Sequence, residues 1–301
     1  MFKYFFTALL AAILFTSCGT EAGADDDDFH ANVDFRLETT EEERETEHEP
    51  EPVQEIEDTD FLDGIEFFEM LRESPAVMLQ LTPLTYGEEL VILHTNLGDI
   101  TLRFFPEEAP LAVVNFTTHA MHGFYDGVIF HRVIPGFMIQ GGDPDGTGMG
   151  GHSIFSEPFF VEPSVNLRHF RGALAMAHAG GAMGSQFYIV QSTTVDPMFR
   201  MHFEELIQES ETVIGEFSDG TQITLGCIHP VDGLRYFIEQ GGTPNLDWFW
   251  NEFPGGPHTV FGHVVDGMDV VDAIANTPRG ANDRPNEDVV IERVSFVTYG
   301  G

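Results

Sequence analysis

Phe130-His131-Arg132-Val133-Ile134-Pro135-Gly136-Phe137-Met138-Ile139-Gln140-Gly141-Gly142-Asp143 is the stretch from which the rest of the sequence can be read. Strand-like runs at 128–134 and 137–141 flank Pro135-Gly136, a pair suited to turning the chain back. Folded that way, Arg132 and Gln140 face each other across one hairpin, and the amide can orient the guanidinium. A charge inside an apolar strand pair is expensive unless it faces a site or a partner. Cations are also scarce, since Lys3 is the single lysine and only arginines join it. Arg132 is therefore the first candidate functional residue.

Working outward, strand patterns recur at 90–95, 100–105, 172–177, 186–191, 258–265 and 289–298, with Asn96 to Asp99 turning the first pair into a hairpin. Helices are expected at Pro110 to His122, where Leu111, Val114, Phe116 and Met121 supply the apolar residues, and at Met268 to Ala275. Eight strands, two helices and no parallel α/β alternation predict a mainly β fold: a closed eight-stranded antiparallel β-barrel capped by two α-helices, which removes exposed sheet edges. Two tracts, about 192–242 and 247–256, interrupt the spacing and read as insertions. The first holds Met198, Phe199, Phe203, Leu206 and Ile207, consistent with a helix whose apolar face lies on the barrel. A short amphipathic helix is expected at 61–72, within a lead-in at 61–85 that precedes the domain at 86–301.

The central signature resembles that of the cyclophilin family of peptidyl-prolyl cis-trans isomerases. Gly184-Ser185-Gln186-Phe187, Leu246-Asp247 and His258-Thr259-Val260-Phe261-Gly262 follow in that family's order. The likeness covers about 86–299 apart from the two tracts, and it implies a barrel with an outer groove for an X-Pro peptide. Arg132 and Gln140 match catalytic positions. Phe137, Met138, Tyr188, Leu246 and His258 match the lining of the proline pocket. Ala177, His178 and Ala179 match an edge segment whose backbone clamps the peptide, and Gln186 matches a polar contact beside it. Taken alone, Phe137, Met138 and Leu246 would be read as core. Three positions depart from familiar members: His178 stands for Asn, Tyr188 for Phe, adding a hydroxyl that needs a partner, and Asn245 for the Trp of cyclosporin-sensitive members.

The chemistry is intelligible from the residues. Rotation about an amide meets a barrier of about 18–20 kcal/mol because nitrogen donates its lone pair to the carbonyl. Lowering it needs no nucleophile, metal or cofactor, only a donor aimed at the imide nitrogen from a low-dielectric groove. Arginine suits that role, because it stays charged and its rigid fork can be held on one side while another N–H faces substrate.

Ahead of the domain, Met1 to Cys18 reads as a secretory signal: Lys3, an apolar run from Tyr4 to Phe15, then Thr16-Ser17-Cys18. Its end resembles the lipobox of bacterial lipoproteins, which implies lipidation of Cys18. Residues 19–60 are acidic, with 18 Asp or Glu between 21 and 60 against Arg36 and Arg44, and too poor in apolar residues to fold. They read as a disordered tether spanning about 35 Å. The expected location is the outer face of a bacterial cytoplasmic membrane or the periplasm, with a membrane contact through the lipid.

The formal charge of −37 argues against nucleic acid as a partner. With Cys18 consumed, Cys227 has no intramolecular disulfide partner. His119 and His122 share a helical spacing but lack a recognised ligand set, and Ser185 lies outside a hydrolase elbow. No metal or cofactor is expected, and a monomer acting on proline-containing polypeptides is the reading. A peptide-binding module or chaperone without turnover is the rival.

Overall fold

The hairpin anticipated at Pro135-Gly136 joins β3 (Arg132–Ile134) to β4 (Met138–Gly141), with Arg132 opposite Gln140, Val133 opposite Ile139 and Ile134 opposite Met138. These strands belong to the computed structural model, which describes residues 70–247 and 257–301. Gly136 has a φ of 76°, a left-handed value that glycine adopts at little cost. The other strands of the main sheet are β1 (Glu89–Thr95), β2 (Gly98–Phe104), β5 (Ala173–Ala179), β6 (Ala182–Val190), β9 (Val260–Asp266) and β10 (Ile291–Thr298). They pair antiparallel in the order β10-β1-β2-β9-β5-β6-β4-β3.

The fold is mainly β, as expected, but the sheet is an open half-barrel of eight strands and not the closed barrel predicted. The physical reason lies in β3, which has only three residues and forms no ladder with β10. The chain before β3 instead meets the chain before β10 at one isolated bridge, Ile129 with Val290, supported by Phe130 N–H to Val289 O at 2.9 Å and Ile291 N–H to Val128 O at 2.8 Å.

Inside the curved sheet lies a core of Leu93, Ile100, Leu102, Phe116, Tyr125, Phe130, Val133, Ile139, Phe187 and Phe261. Helix α1 (Pro110–Met121) packs into it with Ala112, Asn115, Phe116, His119 and Ala120. Of the four apolar residues in the sequence reading, Phe116 points inward, while Leu111, Val114 and Met121 point outward and are 42%, 42% and 63% exposed. The polar members of the inward face have specific partners. Asn115 donates to Gly184 O and accepts from Ile154 N–H, both at 2.9 Å, and the His119 ring meets His152 O. No side chain next to the helix caps it; Glu162 supplies that function from a distance, accepting from Leu111 and Ala112 N–H at 3.0 and 2.8 Å.

Besides the helical residues 70–73, five α-helices lie among the described residues, more than the two expected as caps and the one expected in the insertion. Met268–Ala275, here α5, is one of the predicted pair. Three lie between 192 and 242: α2 (Pro197–Gln208), α3 (Leu225–Ile228) and α4 (Val231–Gln240), beside a small hairpin of β7 (Val213–Glu216) and β8 (Gln222–Thr224). The apolar face of α2 does not lie on the main barrel core. Phe203 stacks on Phe237 of α4 at 5.3 Å, and both join Phe170, Leu71, Met78, Ile223 and Leu234 in a second cluster.

That second cluster also gathers the lead-in. Residues 70–73 are helical, while 61–69 of the expected helix lie outside the described residues. A 3-10 turn at Leu79–Leu81 buries Gln80, whose amide pairs with the backbone of Arg168 like a short strand: N–H of Arg168 to Oε1 at 2.7 Å, and Nε2 to O of Arg168 at 2.9 Å. The buried Arg168 guanidinium is in turn satisfied by the carbonyls of Val165, Leu167 and Ile228.

Because barrel approach, insertion and lead-in share one core, Phe237→Ala is expected to cost about 3–5 kcal/mol and to lower a single urea transition, not to create a second one. Two resolved transitions in the variant, one at the wild-type midpoint, would show that the insertion folds independently.

Candidate active site

Alternation along β3 and β4 sends Val133 and Ile139 into the core and leaves Arg132, Ile134, Met138 and Gln140 on the outer face. The register continues that outer row across the sheet, Gln140 opposite Tyr188, Tyr188 opposite Ala175 and Ala175 opposite Val260. A line of hydrogen bonds crosses the row at its charged end. Arg132 Nη1 donates to Gln140 Oε1 over a long 3.4 Å, Gln140 Nε2 donates to Gln186 Oε1 at 2.9 Å, and Gln186 Nε2 donates to Gly150 O at 2.8 Å. Each amide is thereby fixed in orientation by its neighbours.

The last carbonyl of that line is itself anchored. Asp143, fully buried, accepts backbone N–H bonds from Asp145, Thr147, Gly148 and Gly150 at 2.6–3.2 Å. Burial pushes its carboxyl up, yet these bonds outweigh burial and hold it below the usual carboxylate range. The signature thus closes on itself: its last residue shapes the loop that supports its arginine.

Beside the charged end is an apolar cluster distinct from the core. Met138, Tyr188 and Leu246 are buried in it with Val190, Val260 and Phe105, while Phe137, Ile134 and Ala177 are partly covered. His258 forms one wall: its ring stacks on His178 at 4.0 Å, meets Tyr188 edge-on at 5.5 Å, and its Nδ1 lies 3.2 Å from Met176 O. Strand β5 outruns its pairing with β9, which stops at Ala175 and Val260; beyond it His178 and Ala179 pair by ladder with Met183 and Ala182 of β6 alone among the described residues, and Ala177 sits at the register shift before them.

The profile of the family described as "Cyclophilin type peptidyl-prolyl cis-trans isomerase/CLD" matches residues 90–225 and 229–296. The chain belongs to the cyclophilin-type peptidyl-prolyl cis-trans isomerases. Relatives carrying the name "Putative peptidyl-prolyl cis-trans isomerase" include one from Staphylococcus saprophyticus, 42% identical over 220 residues, covering 72% of this chain and 97% of the relative. Another, from Staphylococcus aureus USA300, is 44% identical over 209 residues, covering 69% and 91%. A crystal structure of a Cryptosporidium parvum cyclophilin-type isomerase aligns with 26% identity and a TM-score of 0.49, over 71% of this chain and 99% of that one.

Within this cyclophilin, the structure brings Arg132, Gln140 and Gln186 together in one hydrogen-bonded line and Phe137, Met138, Tyr188 and Leu246 into or against one cluster, with His258 at its edge. Ala177, His178 and Ala179 lie on the β5 edge next to His258. Trp248 and Trp250, in the second insertion, lie outside the described residues, as does Cys18. The hydroxyl of Tyr188 has its partner in His169 Nε2 at 2.9 Å. Sequence reasoning missed His169 and its partner Asp247, and also His131, which is buried with neither ring nitrogen bonded among the described residues. His131 borders a polar cleft of about 560 Å³ that runs past Arg132 and Gln140 to Arg284, away from the apolar cluster. The signal available in sequence for these was only their place beside recognised residues, His131 before Arg132 and Asp247 after Leu246.

His258 and His178 are pushed toward the neutral form. Burial first, then the neighbouring rings of His178 and His169, push His258 down to about 3, and burial likewise lowers His178. Above pH 6.5 both folded and unfolded His258 are uncharged; between 6.5 and about 3 only the unfolded chain takes the proton, so stability falls across that window as pH drops. In turnover the sign gives a flat profile: kcat/KM on a proline peptide is expected to stay constant from pH 8 to pH 5. An acidic limb centred near 6.5 that disappears in His258→Phe would contradict it.

Proposed function

We propose that this chain isomerises X-Pro bonds of exported or surface polypeptides, with Arg132 stabilising the twisted imide. The observation that carries the reading is a guanidinium held on one side by Gln140, whose amide is fixed in turn by Gln186 and Gly150, and placed beside an outer-face apolar cluster that includes Met138, Tyr188 and Leu246. The proline ring enters a pocket there, against Phe137 and His258. Its preceding and following backbone runs along the open edge of Ala177, His178 and Ala179, where main-chain bonding tolerates varied neighbours. As the C–N bond twists, nitrogen regains its lone pair and becomes a hydrogen-bond acceptor. An Arg132 N–H directed there binds the twisted state better than the planar one, which is the requirement for catalysis. Gln140 keeps the fork in place, so little reorganisation accompanies the step.

Arg132→Ala is expected to lower kcat/KM by about 10²–10³ in a protease-coupled proline assay while the melting temperature moves little, since the side chain serves the transition state on the groove side. Arg132→Lys is expected to be nearly as poor, because a point charge cannot serve Gln140 and substrate together. Full turnover in folded Arg132→Ala would favour the rival reading, a peptide-binding module or chaperone that does not depend on catalysis.

The anchoring of the enzyme is part of the same proposal. Residues 1–18 serve as a signal ending in a lipidated Cys18, 19–60 as a spacer, and the monomeric catalytic domain stands off the outer face of the cytoplasmic membrane or in the periplasm. The support is the sequence pattern alone. Cys18→Ala is expected to shift the protein out of the membrane fraction or to leave its signal uncleaved, and intact mass of the wild-type mature chain should show a diacylated N-terminal cysteine. An unlipidated mature chain beginning elsewhere would overturn it.

A further inference from the structure

His169 precedes β5 and is almost fully buried, yet every polar atom it owns is engaged by a residue of the pocket wall. Its backbone N–H and its ring Nδ1 both meet Asp247 Oδ1 at 2.7 Å, its carbonyl accepts from Thr243 N–H at 2.8 Å, and its Nε2 lies 2.9 Å from the Tyr188 hydroxyl. Thr243 and Asp247 are the two ends of one 3-10 turn, Pro244–Leu246, closed internally by Leu246 N–H to Thr243 O and Asp247 N–H to Pro244 O. That turn carries Asn245 and Leu246. The backbones approach so closely that a Cβ on Gly242 would sit 2.5 Å from His169 O, so the turn has no room to slide.

The Nδ1–H tautomer suits both contacts: Nδ1 donates to Asp247 Oδ1, and Nε2 accepts from the Tyr188 O–H. Asp247 Oδ2 has no partner among the described residues, which leaves His169 as the donor of both hydrogen bonds found on this carboxylate. One imidazole thus ties Leu246 on the turn to Tyr188 on β6, the two walls that approach the pocket from opposite sides of the chain order. Where a bulky indole would brace that side sterically, Asn245 offers little area, and alignment of Leu246 falls to the turn itself.

We propose that His169 is a positioning residue of the proline pocket, setting the spacing of Leu246 and Tyr188 through its bonds to Asp247, Thr243 and the Tyr188 hydroxyl. This rests on the pocket reading given above. It acts on binding of the proline ring and not on the Arg132 line, which lies on the other side of Tyr188 and shares none of its hydrogen bonds.

The experiment measures KM and kcat separately, together with melting temperature, for four variants. His169→Ala is expected to raise KM about tenfold with kcat within about twofold, the pattern of lost binding that is common to ground and transition states. His169→Asn, whose amide N–H can take the place of Nδ1 on Asp247, is expected to recover most of the affinity. His169→Gln, whose amide reaches the Nε2 position but not the Nδ1 one, is expected to behave like His169→Ala. A merely structural role would lower melting temperature in all three without this ordering of KM. If the alanine variant does not fold, the Asn and Gln pair decides, and a Gln variant at least as tight as Asn overturns the assignment. Met138→Ala separates the two levels of the argument. If it raises KM while folded His169→Ala does not, the pocket stands and the role of His169 falls; if neither changes KM, the pocket reading falls and takes this proposal with it.

Discussion

One guanidinium on the outer face of a two-stranded turn organises this molecule. Arg132 lies between the outer-face apolar cluster and a polar cleft, and no ion pair to a carboxylate is found for it among the described residues. It is held by neutral amides instead. In the proposed mechanism that choice matters, because an ion pair would satisfy the charge before substrate binds, whereas an amide orients the fork and leaves the field available to the imide nitrogen. Gln140 can do this only because Gln186, Gly150 and the Asp143-capped loop fix the amide in turn.

The sheet serves two environments through its alternation. Inward residues such as Val133, Ile139 and Phe187 build the core that makes the strands rigid, and outward residues of the same strands build the pocket. Arg132 lies on β3, the last strand of the sheet, and is tied inward by pairing of β3 with β4 and of β4 with β6. The second cluster, around Phe203 and Phe237, thickens the molecule near the chain leading into β5, and Arg168 and Gln80 stitch insertion and lead-in to that same chain. His169 follows Arg168 directly, so this packing supports the pocket from behind.

Two histidines at the pocket wall act as neutral hydrogen-bonding rings. His258 and His178 stack and give their N–H groups to carbonyls, and both are kept uncharged by burial. In the proposed mechanism a protonated ring at that wall would place a second cation against the proline ring and compete with Arg132 for the field. Keeping the wall neutral preserves the contrast between apolar pocket and single charge on which the proposed chemistry depends.

The sequence alone determined the family, the mainly β character, the eight strands and the juxtaposition of Arg132 with Gln140, because these rest on local periodicity, a turn at fixed offset and a long contiguous signature. Period and turn are near-neighbour properties, and so they survive without knowledge of the rest of the chain. What tertiary structure alone decided depends on residues far apart: the inward face of α1, where Asn115 and His119 are chosen over Leu111 and Val114 because distant carbonyls and amides await them; the open seam, set by how short β3 is; and the separate core that the 192–242 insertion makes with the lead-in. The Asp247, His169 and Tyr188 chain belongs to this second kind. Its members are separated by 19 to 78 positions, and a hydrogen bond over such spans exists only once the fold has brought its two ends together.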